Sequence, residues 1–317
     1  VFAASTTENK VRTLKPLFQE EADKRAPRDN FFHCLINAAH QFHVEDKNGE
    51  KYILAGYPWF KARARDTFIA LPGLTLSIEE TEFFEAVMKT AEKGLREFME
   101  EKPLTVNLYE LNQPDAPLWA IWCIQQYAKE EGDERCAKKY GQLVWDIISY
   151  ISDSKHPNLI VDDNGLVKTD GSERAVTWMN STANGRPVVP RTGYIVEFNA
   201  LWYNALCFGA KLAQEAHHDD LATSLNQQAD KTKDAFLTTF VNKFGYLFDY
   251  VDGDKQDWSV RPNMIFPAAF DYSPLSQEQK KNIIDICTKE LLTPKGLRSL
   301  SPKSGGYNPM YVGPQAQ

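Results

Sequence analysis

No stretch of the 317 residues approaches the ~20 apolar residues that a membrane-spanning helix needs, so the sequence predicts a soluble protein without a membrane partner. Cysteine is scarce, with Cys34, Cys123, Cys136, Cys207 and Cys287 as the full set. Their number is odd, no two form Cys-x-x-Cys, and most sit among Leu, Ile and Trp. They read as buried free thiols in a reducing, cytoplasmic setting. Blocks of like charge are missing: the net charge of −7 is spread along the chain, which argues against a nucleic-acid partner. There is no phosphate-binding loop, no dinucleotide fingerprint, no G-x-S-x-G elbow and no βαβ alternation. Metal signals are weak too. His33, His40 and His43 share one predicted helix without a carboxylate or thiol at ligand spacing. Asp249, Asp252, Asp254 and Asp257 lack the order of a calcium loop. Neither metal nor cofactor is expected. The sequon Asn180-Ser181-Thr182 has no role in a cytoplasmic protein, and a start at Val1 without Met predicts either a piece of a longer chain with further domains or a processed form.

What is present is apolar periodicity. Hydrophobic residues make up 43% and aromatics 12%, ample for a core, and an acidic chain rich in aromatics suits a neutral polyhydroxyl ligand. A helical face runs over residues 7–25 with Pro16 inside it. Residues 30–43 form another helix, and Val44–Leu54 a hairpin turning at Asn48-Gly49. Four helical pairs follow: 66–76 with 79–100, 114–131 with 134–153 broken at Gly132, 195–217 with 219–243, and 261–270 with 276–291. Ser276 and Gln279 resemble a capping box. Long loops over 101–113, 153–194 and 244–260 separate them. Antiparallel pairs divided by such loops predict an all-α protein, an α/α toroid of helical hairpins over residues 30–317 with residues 1–29 as an N-terminal extension or interdomain helix.

The densest stretch is Ala175–Leu206, AVTWMNSTANGRPVVPRTGYIVEFNALWYNAL. A polar loop carrying Trp178 and Asn180 feeds a helix that presents Glu197, Asn199 and Trp202. Flat aromatic faces beside carboxylates and amides are how carbohydrate sites are built. Here T-W-M-N, R-P-V-V-P-R-T-G (ending in Arg191-Thr192-Gly193) and V-E-F-N-A-L-W-Y-N-A-L resemble the amylo-α-1,6-glucosidase domain of glycogen debranching enzymes. That family usually shows T-W-M-D and P-V-E-I-N-A-L-W-Y-N-A-L. Ala55–Phe60 with Arg65–Leu74, Asp115–Trp119 and Leu292–Leu300 agree as well, in order, over about residues 30–317.

The resemblance implies a barrel of six hairpins, (α/α)6, of which the last is expected to be missing or incomplete. It implies an α-glucan substrate and an inverting mechanism without a cofactor. Such a mechanism uses two carboxyl groups about 6.5–9.5 Å apart, one as acid and one as base. The family's acid is the Asp of T-W-M-D, and this chain has Asn180 there; the base lies on a segment near the C-terminus, where the chain stops short. Glu197 or Glu173 is the alternative acid. Arg65-Asp66 resembles the floor of the terminal-sugar site, with the guanidinium orienting the carboxylate. The family's Trp-Gly-Arg-Asp reads Arg63-Ala64-Arg65-Asp66 here, leaving Trp59 to supply the stacking face. Asp115, Trp178, Arg191, Asn199 and Trp202 complete the substrate-binding set, and Trp59, Arg65, Asp66, Asp115, Trp178, Asn180 and Glu197 are expected to line one cavity. Two functions compete: a debranching α-1,6-glucosidase impaired at residue 180, or a non-catalytic α-glucan-binding relative. A toroid glycosidase for trehalose or another oligosaccharide is more remote.

Overall fold

The structure is a computed structural model that describes residues 11–57 and 59–310. Ten α-helices lie in that span. They are α1 (Val11–Asp23), α2 (Phe31–His40), α3 (Ala64–Leu74), α4 (Thr81–Met99), α5 (Ala116–Glu131), α6 (Asp133–Ser152), α7 (Val196–Glu215), α8 (Asp219–Phe240), α9 (Ile265–Ala269) and α10 (Gln277–Glu290). No helix among the described residues is long and apolar enough to cross a membrane. The first residues of the expected 7–25 helix, and the end of the Gly305–Pro314 stretch, lie outside the described residues. All five cysteines are free, with Cys34 exposed and Cys123, Cys136 and Cys287 buried.

The helix boundaries follow local chemistry. α5 starts behind Asp115 with Pro117 in its first turn, where a missing N–H costs nothing. It ends at Gly132, whose φ of +92° only glycine adopts without strain, and that single residue returns the chain as α6. Asp133 and Glu134 then favour the positive end of the new helix. α10 opens on the expected capping box: the Gln279 N–H donates to Ser276 Oγ at 3.2 Å and the Ser276 N–H donates to Gln279 Oε1 at 2.8 Å.

Short links make α3–α4, α5–α6 and α7–α8 antiparallel hairpins, and their packing separates two layers. α5 touches α3 and α7, and α7 touches α9, so the first helices of successive hairpins adjoin. α7 buries 15 of its 20 residues, as an inner helix apolar all round must, whereas α8 buries only six of 22, along one stripe. This is the hairpin arrangement a helical toroid is made of.

Strands were less visible in the sequence. The predicted hairpin is present as β1 (His43–Glu45) and β2 (Lys51–Ile53), with Val44 opposite Tyr52. Two-residue pairs also form at β5 (Thr182–Ala183) with β6 (Arg186–Pro187), and at β10 (Leu292–Thr293) with β11 (Gly296–Leu297). The regions 153–194 and 244–260, expected as loops, instead meet in a five-stranded antiparallel sheet. Its members are β3 (Ile160–Val161), β4 (Val167–Thr169), β7 (Gly193–Ile195), β8 (Tyr250–Asp252) and β9 (Lys255–Gln256), in the order β3-β4-β7-β8-β9. Strands of two or three residues are too short to show an alternating pattern. At Gly193, φ is +78° and a Cβ would stand 2.4 Å from the Val251 carbonyl oxygen, so glycine is required where β7 crosses β8.

His156, between α6 and β3, is 2% exposed and edge-on to Phe98 and Tyr150. Its Nδ1 accepts the Asn158 N–H at 3.1 Å, while its Nε2 has no partner. Burial, with Arg174 nearby, pushes its pKa down to about 4. Between the ordinary value near 6.5 and about 4, the unfolded chain therefore binds a proton that the folded chain rejects, and acid destabilises the fold. About 2 kcal/mol of stability should be lost between pH 7 and pH 5 through this residue. Urea unfolding at both pH values checks it: His156→Gln should shrink the difference by that amount, and an unchanged difference would assign it elsewhere.

Candidate functional site

Two buried ionic clusters hold up the segment 175–191. The first joins the starts of two inner helices. Arg65, in the first turn of α3, grips Asp115 at the start of α5 with two bonds, Nε to Oδ2 at 2.7 Å and Nη2 to Oδ1 at 2.8 Å. The Trp119 indole N–H adds a third donor to Asp115 Oδ2 at 3.1 Å, one turn on. Arg65 Nη2 also donates to the Val176 carbonyl at 3.3 Å, which ties down the backbone just before Trp178. Burial alone would lower the Arg65 pKa, but Asp115 at contact distance raises it, and the guanidinium stays charged.

The second cluster follows from strand register. β7 runs directly into α7, so Arg191 before the strand meets Glu197 in the helix's first turn. β7 pairs with β8 so that Ile195 lies opposite Tyr250, which brings Asp249 to the same place. Gly171 lets its loop press onto Arg191, since a Cβ there would fall 1.9 Å from the Arg191 carbonyl oxygen. Arg191 Nε donates to Asp249 Oδ2 at 2.7 Å and Nη2 to Oδ1 at 3.0 Å. Nη2 also donates to Glu197 Oε2 at 2.7 Å, and Nη1 to Glu197 Oε1. Arg261 Nε stands 3.8 Å from Asp249 Oδ2, so two guanidiniums face two carboxylates. Burial would depress the Arg191 pKa, and the Asp249 and Glu197 charges overrule it upward. Burial likewise pushes the Glu197 carboxyl up, while Arg191 pulls against it.

From this cluster a hydrogen-bond chain reaches the surface. Asn263 Nδ2 donates to Asp249 Oδ1 at 2.7 Å, and Asn263 Oδ1 accepts the Trp178 indole N–H at 2.8 Å. Trp178 is 41% exposed and its orientation is set from below.

Two cavities meet at that ring. The larger, about 660 Å³, is lined by Trp178, Asn180, Tyr250, Asp257, Arg261 and Tyr307 among others. The smaller, about 350 Å³, has Phe42, Arg65, Asp66, Ile69 and Trp178 in its wall. The expected single cavity is thus divided. Arg65, Asp66 and Trp178 come together on one side, Trp178 and Asn180 on the other. Asp115 lies beneath Arg65 and lines neither cavity. Arg65 pairs with Asp115, fifty residues on, rather than with its neighbour Asp66.

Six other expected residues fall outside both linings. Trp59 is 80% exposed on the loop after β2 and lines neither cavity. Glu197 and Arg191 are buried together beneath them. Glu173 pairs with Arg186 at the surface. Asn199 is spent on backbone: its Nδ2 donates to Val167 and Ile195 carbonyls at 2.9 and 3.0 Å, and its Oδ1 accepts the Val167 N–H at 2.7 Å. Trp202 donates to the Gly165 carbonyl at 3.2 Å from a fully buried position. Both side chains hold the sheet onto α7, because an amide or indole N–H buried on an inner helix must find a partner there.

Asp249, Asp257, Arg261 and Asn263 were not expected at the site. The signal for Arg261 and Asn263 was the polar run Arg261-Pro262-Asn263 just before the apolar Met264-Ile265-Phe266, the same device as Arg191-Thr192-Gly193 before α7.

No curated protein matches the chain. The sequence model described as amylo-alpha-1,6-glucosidase matches residues 37–317, nearly the whole of it. The resemblance carried by T-W-M-N and its companion stretches is thereby shown: the chain belongs to the amylo-alpha-1,6-glucosidase family, a glycogen-debranching type of glycosidase domain.

Proposed function

We propose that this domain binds α-1,6-linked glucose stubs of a glycogen-like α-glucan in the larger cavity and, as it stands, hydrolyses them poorly. One observation carries the reading. Among the described residues lining that cavity, Asp257 is the only carboxylate, and Asn180 stands in the wall, where the resemblance to T-W-M-D would put the acid. An inverting hydrolysis needs one carboxyl group to protonate the leaving oxygen and a second to activate water. Asp257 accepts the Ser259 N–H on Oδ1 at 2.9 Å, which leaves Oδ2 for a water or a sugar hydroxyl. Asn180 can hold a glycosidic oxygen by hydrogen bonding but has no proton to give. Glu197 is a poor substitute, because Arg191 occupies both of its oxygens beneath the cavity floor.

Binding does not depend on proton transfer. The exposed indole of Trp178 offers a flat face to sugar C–H edges, with Arg261, Ser259 and Asn308 as hydroxyl partners nearby. Trp178→Ala should raise the Kd for a short limit dextrin by about tenfold, on the order of 1 kcal/mol of lost contact. Calorimetric titration measures it, and an unchanged Kd would remove the indole from the binding face. The hydrolytic half of the reading is tested by glucose release from the same dextrin. Fast release by the unsubstituted protein would overturn it. Binding without release, unaltered by an acid at position 180, would instead favour a purely glucan-binding relative.

A further inference from the structure

Outside both cavities, three ligand-type side chains converge where the hairpin β1–β2 meets the start of α4. His40 is the last residue of α2 and His43 the first of β1, and the turn between them brings the rings to 5.4 Å. Glu80, at the N-terminus of α4, reaches both: Oε1 lies 2.6 Å from His40 Nε2 and Oε2 lies 3.5 Å from His43 Nδ1. The ligand atoms of all three lie within 4.8 Å of one another. The sequence shows only the two histidines, because the carboxylate arrives from forty residues away.

The tautomer of His43 gives this cluster its meaning. Its Nε2 lies 2.9 Å from the Leu74 carbonyl oxygen, which can only accept, so Nε2 carries the proton. In the neutral ring Nδ1 then presents a lone pair to the Glu80 carboxylate, and two acceptors face each other with a cation's place between them. A backbone carbonyl on the far nitrogen is how proteins orient a metal-binding imidazole. The ring is further fixed by stacking on Phe83, centroids 4.1 Å apart and 13° from parallel. Zinc-to-nitrogen and zinc-to-oxygen bonds of about 2.0–2.2 Å at a tetrahedral angle set two ligands about 3.4 Å apart; the 3.5 Å spacing of His43 Nδ1 and Glu80 Oε2 meets this, whereas the His40 Nε2–Glu80 Oε1 hydrogen bond of 2.6 Å has to open to admit an ion. The His40 and Glu80 side chains are each about one-third exposed, so an ion can reach them from solvent and keep water as its remaining ligand.

We propose that His40, His43 and Glu80 form a binding site for a divalent transition-metal ion of the zinc class, clipping α2 and β1 to the start of α4. Borderline ligands, two imidazoles and a carboxylate, suit Zn²⁺ or Co²⁺ rather than Ca²⁺ or Mg²⁺, which take oxygen sets.

The test uses the full chain, stripped with EDTA and titrated with Zn²⁺ alone by calorimetry. A Cys34→Ser background removes the one exposed thiol. One equivalent should bind and raise the melting temperature. His43→Gln and Glu80→Gln should each weaken binding by at least about tenfold. Glu80→Gln keeps the side chain's shape and hydrogen-bonding capacity, so a metal-free melting temperature like the parent's separates lost ligation from lost folding. Co²⁺ should give visible ligand-field bands without thiolate charge-transfer absorption. His33→Gln, which alters only surface contacts of that ring with Asp29 and Asn30, should leave Zn²⁺ affinity unchanged. A flat Zn²⁺ titration, as expected if a proton bridges His43 and Glu80, would overturn the proposal. So would equal affinity in the parent and both ligand variants.

Discussion

Asn180→Asp should raise glucose release from a limit dextrin by about 10²–10⁴-fold, the range that general acid catalysis contributes. The substitution adds a proton donor and changes little else, since Asn180 is exposed at the cavity wall and its amide has no hydrogen-bonding partner among the described residues to lose. A carboxyl group there faces a cavity that already holds Asp257, so the two could divide the work of protonating the leaving oxygen and activating water. The dependence on Asp257 is the internal control: Asp257→Asn added to Asn180→Asp should abolish the gain, while binding of the dextrin stays measurable. Product anomer analysis adds a second readout, because an inverting pair releases glucose of the opposite configuration. Robust hydrolysis by the unsubstituted protein, with no gain from Asn180→Asp, would show that position 180 is not the acid site.

The largest stability effect is expected at Arg191. Arg191→Met removes the cation that two fully buried carboxylates share, leaving Glu197 and Asp249 facing each other with Arg261 3.8 Å from one of them. Breaking a buried ion pair from one side costs on the order of 3–5 kcal/mol, because the remaining charge has neither water nor a partner. Thermal unfolding should show a large drop for this variant. Adding Glu197→Leu and Asp249→Leu should recover part of it, since an apolar cluster of similar size needs no counter-charge. A loss below about 1 kcal/mol, the scale of an exposed pair, would mean that solvent reaches the cluster and would undo the account of how Trp178 is held.

How much of this was legible in the sequence depended on the range of the interaction. The hairpins α3–α4, α5–α6 and α7–α8 were read within a few residues of their ends, because helix periodicity, Gly132 and the acidic first turns are local signals. The Ser276–Gln279 box was read outright, its partners being three residues apart. The five-stranded sheet was not, since its strands are two or three residues long and their register is set by packing against α7. For the site, Trp178, Asp66 and Asn180 were placed at cavity walls, yet their division between two cavities was not foreseen. In sequence Arg65 adjoins Asp66, whereas its partner, Asp115, comes from the start of the next inner helix. Asn199 and Trp202 looked like ligand contacts because they sit on a helix with family-like residues, but helical phase turns them inward. Asp249, which steers Trp178 through Asn263, carried only the composition of an acidic loop.

The indole of Trp178 is a common wall of the two cavities, and that makes them a single thermodynamic system. A guest that presses the ring toward one side enlarges the room on the other, and the reverse holds by the same free energy, because coupling between two ligands is reciprocal. The ring is tethered at its nitrogen to Asn263, so its freedom is a rotation about that tether rather than a translation. A branched glucan is a bivalent guest, with one chain end at the branch and another beyond it. If the domain binds such a molecule as proposed, the shared wall would turn two modest contacts into one recognition event, in which the angle between the chains, rather than the length of either, decides the fit.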